Sequence, residues 1–193
     1  MNKLILTDVD GTLVDFATAF HDWMEEAGHP CNGSLHDTFE IHDVFGCDVE
    51  EANRQVELFC SSPVFAQLQP LAGSQEAVAR LRAEGWGFVA ITSCAASPEA
   101  VRMRRENLRR LYQIDEVIFA GLMGAKADIL RRYPASIWVD DHLKHIREGI
   151  DTSHKCFVID REYNRVSDIP QDQYVRVKDW SDIVSWIEKH GSE

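Results

Sequence analysis

The feature that most constrains this chain is an apolar stretch near its start that leads directly into acidic residues. Leu4, Ile5 and Leu6 form the apolar run, and Asp8 and Asp10 follow it. Such a run suits a strand that is buried on both faces, as in a parallel sheet. Carboxylates are costly to bury alone, so these two must face solvent, a cation or a substrate. In open α/β sheets, ligands bind beyond the carboxyl ends of the strands, where these acids fall.

The spacing of the two acids bears on their chemistry. Asp8 and Asp10 are two positions apart, so on an ideal strand their side chains would share one face. As the chain leaves the strand they can diverge, one carboxylate serving a metal and nucleophilic attack and the other serving proton transfer. Gly11 allows a sharp turn or a close approach to a ligand. A simple acidic strand end capped by a turn is the alternative, and the pair of acids alone leaves both open.

Length and charge limit the possible partners. With 193 residues, the chain is long enough for one domain with a small insertion and a proper core. Hydrophobic residues make up 45% and charged residues 27%, which is ordinary for a globular protein. The formal net charge of -12 argues against long nucleic-acid polymers, which usually bind a basic surface. A small anion bound through a metal remains compatible with this charge.

The cysteines indicate a reduced environment. They are odd in number, scattered and without metal-ligand spacing, which favours a cytoplasmic chain. We also expect no signal peptide, because the N-terminus is predicted to be a strand that ends in acids. No membrane span is expected, because no apolar run approaches the roughly 20 residues that a span needs. The five cysteines are Cys31, Cys47, Cys60, Cys94 and Cys156.

From Phe16 the apolar residues take the spacing of an amphipathic helix, with Asp15 as its N-cap. A second helix is predicted from Asp48, with Glu51 completing a capping box. The whole segment 16–69 is too long for an ordinary loop, so we interpret it as a small helical cap. Its aromatic residues are expected in the core of the cap rather than at a substrate, namely Phe20, Trp23, Phe39, Phe45, Phe59 and Phe65.

The rest of the chain alternates predicted helices and strands, and polar residues recur where strands end. Thr92 and Ser93 end one strand, Lys126 follows the next, and Asp140 and Asp141 end a fourth. Ser74 is predicted to cap the helix before the second strand, and Ser97 the helix after it. The latter helix carries five arginines, which we interpret as a solvated face, with a phosphate clamp as the lesser alternative: Arg102, Arg104, Arg105, Arg109 and Arg110.

The string DVDGTLVD, with the strand before it, resembles the first motif of the haloacid dehalogenase (HAD) superfamily. The resemblance implies an α/β fold with a Rossmann-like, doubly wound parallel sheet, formed by residues 1–15 and 70–193. It also implies a small helical cap inserted after the first strand, at residues 16–69. Asp8 would be the nucleophile that becomes an aspartyl phosphate, and Asp10 the general acid and base. Dehalogenases of the superfamily lack the second acid, whereas its phosphatases and phosphomutases keep it.

The later motifs match the same superfamily and assign the remaining site residues. The resemblance implies that the hydroxyl of Thr92, or of its neighbour Ser93, binds the phosphoryl group, and that Lys126 steadies the negative charge of nucleophile and phosphate. Mg²⁺ would be held by Asp8, by the backbone carbonyl of Asp10 and by Asp141, while Asp140 orients a ligand or a metal-bound water. A carboxylate site suits Mg²⁺ better than imidazole does, so His142 and His145 are expected either to have structural roles or to contact the metal ligands without binding the metal.

The motif neighbourhoods and a late Tyr-Asn-Arg resemble the 5′(3′)-deoxyribonucleotidase branch, in which an aromatic residue at the position of Phe16 packs on the base or sugar. The resemblance thus implies a Mg²⁺-dependent phosphatase for nucleoside monophosphates, with no polymeric nucleic acid as partner. A sugar phosphate, a nucleic-acid 3′-phosphate end, a phosphomutase reaction and a non-catalytic HAD scaffold remain as alternatives. A homodimer is left open.

Overall fold

The structure, a computed structural model, describes residues 2–190, and within this range the chain forms six strands and eight α-helices. The strands are β1 (Leu4–Thr7), β2 (Gly87–Thr92), β3 (Val117–Phe119), β4 (Ile137–Asp140), β5 (Lys155–Ile159) and β6 (Tyr174–Val177). The helices are α1 (Phe16–Glu26), α2 (Ile41–Phe45), α3 (Val49–Cys60), α4 (Ser74–Ala83), α5 (Pro98–Tyr112), α6 (Ala127–Leu130), α7 (Leu143–Asp151) and α8 (Trp180–His190).

The strands form one parallel sheet in the order β3-β2-β1-β4-β5-β6. Successive side chains of a strand point to opposite faces, and here both faces are covered. Ile5 belongs to one hydrophobic cluster and Leu6 to the other. Apolar strands buried on both faces are typical of α/β proteins. The predicted doubly wound α/β sheet is therefore confirmed.

The chain reverses its direction of travel across the sheet at β1. Ile5 is paired with Phe88 of β2 on one side and with Ile137 of β4 on the other. In doubly wound sheets this switch point opens a crevice at the carboxyl ends of the central strands, where ligands bind. Asp8 directly follows β1, and Asp140 is the last residue of β4. The fold itself therefore brings the two acidic strand ends together.

Residues 16–69 contain α1, α2, α3 and a short 3₁₀ turn, and in the described structure no strand lies among them. The predicted caps are present, because Asp15 accepts a hydrogen bond from the Thr18 amide and Asp48 accepts one from the Glu51 amide. Burial is confirmed for Phe20, Phe45, Phe59 and Phe65, whereas Trp23 is partly buried. The division into a cap and a core at these boundaries stays a prediction. No helix described between residues 2 and 190 has both the length and the apolar character for crossing a bilayer.

The predicted cap of α4 is wrong. Gly73 occupies the N-cap, with a φ of 76°, and Ser74 is the first helical residue. The buried Ser74 hydroxyl instead contacts the Leu13 carbonyl at 3.0 Å and the Tyr112 hydroxyl at 2.7 Å. Ser74 therefore connects the segment after β1 to α5 through its side chain instead of capping α4.

Candidate active site

The segment that follows β1 brings its acids close to the end of β4. The Asp8 amide donates to the Val139 carbonyl at 2.8 Å, which extends the sheet pairing by one residue. The chain then turns at Gly11, whose φ is 75°. A Cβ atom on Gly11 would lie 2.2 Å from Oδ2 of Asp141. Glycine is therefore required at this position both for the turn and for the approach of the Asp141 carboxylate.

Three buried carboxylates converge at the switch point of the sheet. Carboxylate oxygens of Asp8, Asp140 and Asp141 lie within 4.8 Å of one another. The Lys126 ammonium donates to Asp8 and also to Asp140, the latter at 2.9 Å. Lys126 is 1% exposed and directly precedes the short helix α6, and its candidate role came from the resemblance. The structure thus brings these four predicted site residues together.

The crowding of negative charge shifts the pKa values of the cluster. Burial, reinforced by the Asp8 charge, raises the pKa of Asp140 to about 7 even though Lys126 opposes the shift. Burial together with Asp140 and Asp8 raises the pKa of Asp141 to about 8. Burial disfavours the charge of Lys126, but Asp140 and Asp8 outweigh it and hold the lysine pKa above its ordinary value. The positive charge of Lys126 is therefore too small to offset the negative charge of the three carboxylates.

The donor set of this cluster fits Mg²⁺. The ion prefers hard oxygen ligands, and the three carboxylates converge within one ligand shell of each other. The bare α-carbon of Gly11 makes room for the carboxylate of Asp141. A divalent cation would also offset the negative charge that Lys126 leaves unbalanced. The structure is thus compatible with an ion held among the carboxylates of this cluster.

Asp10 faces a different partner, which the sequence interpretation missed. Nη2 of Arg104 lies 2.5 and 2.6 Å from the two carboxylate oxygens of Asp10. Burial raises the pKa of Asp10, and the Arg104 charge opposes the shift without cancelling it. Arg104 is fully buried, so the prediction of a solvated arginine face is wrong at this position. Arg104 lies on the buried face of α5. The other arginines of this helix are exposed, namely Arg102, Arg105, Arg109 and Arg110.

Asp141 is held by residues that lie far apart in sequence. The Tyr163 hydroxyl donates to its carboxylate, and the Thr12 hydroxyl donates to it at 3.4 Å. The Asn164 amide donates to the backbone carbonyl of Asp141 at 2.7 Å. In the sequence, Tyr163 and Asn164 belong to the Tyr-Asn-Arg string that resembles one branch of the superfamily. Their contacts indicate that they orient the acidic end of β4.

We expect the substitution Tyr163→Phe to weaken Mg²⁺ binding by roughly 10- to 100-fold, because hydrogen bonds to a ligating carboxylate fix its orientation. Isothermal calorimetry with Mg²⁺ alone measures the effect without an activity assay. Tyr133→Phe is the matched control, since its hydroxyl donates to Glu116, away from the cluster. Unchanged affinity in Tyr163→Phe would remove Tyr163 from the support of the metal site.

Burial favours the uncharged form of the two histidines after β4. Burial, with nearby positive charges, lowers the pKa of His142 to about 4 and that of His145 also to about 4. His142 caps α7 by accepting from the Lys144 amide at 3.1 Å, and His145 lies 2.9 Å from Glu148. These contacts agree with the predicted structural roles, and both rings also line the cavity described next.

A cavity of about 420 Å³ opens directly over the acidic cluster. Its volume is in the range of small-molecule sites. Phe16 lines it, with its ring stacked on Phe20 at 5.2 Å between centroids. Phe39 also lines it and is 40% exposed, so the prediction that Phe39 belongs to the core is wrong. The irregular segment before α2 places the Phe39 ring against His142 at 4.7 Å instead.

The two hydroxyl residues at the end of β2 occupy different environments. Ser93 lines the cavity, and its hydroxyl donates to the Gly124 carbonyl at 3.0 Å. Thr92 is fully buried, and its hydroxyl oxygen has no hydrogen-bond partner among residues 2–190. The structure therefore brings Ser93 to the cavity together with Asp8, Asp10 and Lys126, and it places Thr92 outside the lining.

The fold is shared with known hydrolases, although neither the family models nor the curated proteins compared with this sequence match it. A haloacid dehalogenase-like hydrolase from Streptococcus pneumoniae matches with a TM-score of 0.64 and 14% sequence identity. The match covers 97% of this chain and 100% of the hydrolase. The D,D-heptose 1.7-bisphosphate phosphatase of B. bronchiseptica, solved with magnesium and phosphate, has a TM-score of 0.60 and 15% identity, with coverages of 96% and 98%.

An L-2-haloacid dehalogenase is also similar, with a TM-score of 0.61, 15% identity and coverages of 95% and 98%. Identities at this level establish a common architecture rather than a common reaction. The chain therefore has the haloacid dehalogenase-like fold, an architecture found here in a phosphatase and in a dehalogenase. Which reaction it supports depends on its own side chains.

Proposed function

We propose that this chain is a Mg²⁺-dependent phosphomonoester hydrolase that acts through an aspartyl phosphate. The observation that carries the proposal is the placement of Lys126, whose buried ammonium contacts both Asp8 and Asp140 beneath the cavity. A fixed cation beside an anionic nucleophile is what attack on an anionic phosphate requires.

In the first step, an oxygen of Asp8 attacks phosphorus in line. The new bond joins Asp8 to phosphorus while the bond to the leaving-group oxygen breaks and leaves its electron pair there. The Asp10 carboxyl gives its proton to that oxygen. The Lys126 ammonium stabilises the combined negative charge of the nucleophile and the phosphate. Mg²⁺, when bound by Asp8, Asp141 and the Asp10 carbonyl, supplies further positive charge against the repulsion of two anions.

In the second step, the Asp10 carboxylate takes a proton from water, and the water oxygen attacks phosphorus. The bond between phosphorus and Asp8 breaks, which restores the Asp8 carboxylate and releases phosphate. Asp10 thus ends the cycle protonated again, and the atoms balance as hydrolysis of one phosphate ester. The hydroxyl of Ser93, which lines the cavity, is proposed to bind the phosphoryl oxygens. The Thr92 hydroxyl, for which the resemblance implied this role, is buried outside the lining.

Asp10 favours a phosphatase over a dehalogenase. It lies in the cavity wall two residues after Asp8, and in the superfamily that the motifs resemble the second acid is kept by phosphatases. A phosphomutase would share the first step but exclude water from the second. A non-catalytic scaffold gives no reason to keep Asp8, Asp10 and Lys126 together under a cavity.

For the substrate we propose a nucleoside monophosphate. The walls above the cluster are largely apolar and include Phe16, Phe39 and Val56, which suits a planar base better than a polar sugar. A sugar phosphate is the second candidate, since a structure of the same architecture is named as a sugar-bisphosphate phosphatase. The net charge of -12 disfavours the 3′ end of a nucleic acid. The cytoplasmic location and the homodimer stay predictions.

We expect the chain to release phosphate from nucleoside monophosphates faster than from sugar phosphates in Mg²⁺ buffer, and not at all in excess chelator. Removal of the aromatic face in Phe16→Ala is expected to lower kcat/KM for nucleotides roughly 10-fold or more, since a base–aromatic contact is worth about 1–3 kcal/mol. Inorganic phosphate release with a substrate panel measures both effects.

Phe119→Ala is the control for this panel, because Phe119 is half-buried in β3 and does not line the cavity. Equal losses of Phe16→Ala on nucleotides and on a small alkyl phosphate would contradict base stacking. Full activity in excess chelator would contradict the metal requirement, and no release from any ester would contradict the phosphatase itself.

A further inference from the structure

Arg104 forms a buried ion pair whose placement calls for an explanation. It lies on α5, is 0% exposed, and its Nη2 atom contacts both carboxylate oxygens of Asp10 at 2.5 and 2.6 Å. Its guanidinium carbon lies 4.0 Å from the ring centroid of Phe65. The cation is therefore fixed from two sides, by a carboxylate and by an aromatic face.

A contribution to stability does not account for this arginine. Nε and Nη1 of Arg104 have no hydrogen-bond partner among the described residues. A buried guanidinium with unused donors loses hydration that a single carboxylate does not replace. Apolar side chains of similar volume at such positions are often neutral or stabilising. The benefit of the arginine should therefore lie in what it does to Asp10.

The Asp10 side chain lines the cavity and is not fully enclosed. It precedes Gly11, whose backbone lies in the left-handed region, and 24% of its side chain stays exposed. Lys126 is engaged by Asp8 and Asp140 instead. In the part of the chain that the structure describes, the side-chain hydrogen bonds of Asp10 go to Arg104 alone.

We propose that Arg104 is the positioning residue that orients the Asp10 carboxyl for proton exchange, first with the leaving-group oxygen and then with water. The inference rests on the proposed phosphatase function. As the O–H bond of Asp10 breaks, its electron pair stays on the carboxylate, which faces the guanidinium. A fixed charge aimed at the place where charge develops lowers the barrier of that step without reorganisation.

The test compares two esters that differ in their need for a proton. p-Nitrophenyl phosphate loses a phenolate that leaves as an anion, whereas glycerol 2-phosphate needs its leaving oxygen protonated. With Arg104→Met, we expect kcat/KM for glycerol 2-phosphate to fall roughly 100-fold, the scale of general acid catalysis. The value for p-nitrophenyl phosphate should fall less than about 5-fold. Equal losses on the two esters would overturn the proposal.

A double variant separates positioning from packing. In the background of Asp10→Asn, adding Arg104→Met should cause no further loss on glycerol 2-phosphate, because the group that Arg104 orients is already gone. Additive losses would show that Arg104 acts elsewhere and would overturn the proposal. Arg102→Gln is the matched control, since Arg102 is exposed on the same helix and pairs with Glu106; it should behave as wild type.

If Arg104→Met does not fold by circular dichroism, Arg104→Lys takes its place, because it keeps the charge but cannot reach Asp10 with the same geometry. The same selective loss on glycerol 2-phosphate is expected, and a uniform loss would count against the proposal. Failure of the phosphatase assignment is distinguishable, since the unmodified chain would then release phosphate from neither ester.

Discussion

The substitution Asp8→Asn is expected to abolish phosphate release, lowering turnover on the order of 10⁴-fold or more, because an amide cannot form the aspartyl phosphate. The protein should remain folded. Asp8 is one of three crowded carboxylates, and Lys126 keeps Asp140 as a partner at 2.9 Å after the change. Steady-state phosphate release, measured beside a thermal melt, tests both parts.

The control for the nucleophile variant is Asp128→Asn. Asp128 is an exposed acid near the start of α6 and pairs with Arg131 on the surface at 2.5 Å. It should keep wild-type rates, because the change is the same but lies away from the cavity. Turnover near the wild-type rate in Asp8→Asn would remove Asp8 as the nucleophile and with it the proposed covalent intermediate.

The substitution Lys126→Met is expected to cause the second large loss, of roughly 10²- to 10³-fold in kcat. It leaves Asp8, Asp140 and Asp141 without the ammonium that contacts two of them. Breaking a buried ion pair by removing one partner typically costs about 3–5 kcal/mol, so the free energy of unfolding in chelator should fall by a similar amount. Mg²⁺ should recover part of that stability, since it replaces lost positive charge.

Lys189→Met is the control, because Lys189 lies exposed on α8 and takes no part in the cluster. Denaturant unfolding with and without Mg²⁺ gives the stability, and phosphate release gives the rate. Wild-type activity in Lys126→Met would contradict the role given to its ammonium. Loss of activity with unchanged stability would show that the lysine carries catalysis but no net folding energy.

The sheet and the acidic cluster could be predicted because their signals are local. A buried parallel strand reads as an apolar run, and Asp8, Lys126, Asp140 and Asp141 each follow such a run. In a parallel sheet, the carboxyl ends of neighbouring strands meet at one edge, and the resemblance grouped these residues there. The position of β1 between β2 and β4 was not predicted.

Arg104 shows where local interpretation failed and which signal was available. On α5 the buried positions include Ala100, Met103, Asn107 and Leu108, and Arg104 falls on the same face at helical spacing. The helical spacing therefore predicts that Arg104, unlike the other arginines of α5, lies on the buried face. The buried position of Arg104 was not recognised because the exposed arginines around it are typical of a surface helix.

Tyr163 and Phe39 could not have been placed from sequence. Tyr163 belongs to a 3₁₀ turn after β5 and reaches Asp141 across the sheet edge. Phe39 lies in a segment without helical or strand periodicity, and its ring is 6.0 Å from that of Tyr163. Contacts between irregular segments leave no periodic pattern in the sequence. The position of Phe39 and Tyr163 beside the acidic cluster is therefore visible only in the structure.

The central place of β1 has a consequence for biosynthesis. Its partner β4 emerges from the ribosome long after β1, because Ile5 is paired with Ile137. Parallel pairings of such separation are slow to form, since a long loop must close first. The nascent chain therefore carries an apolar strand without its β4 partner, and an incomplete acidic cluster, until β4 is synthesised. A chaperone that shields residues 4–7 during translation would protect the sheet edge at which this cluster is later assembled.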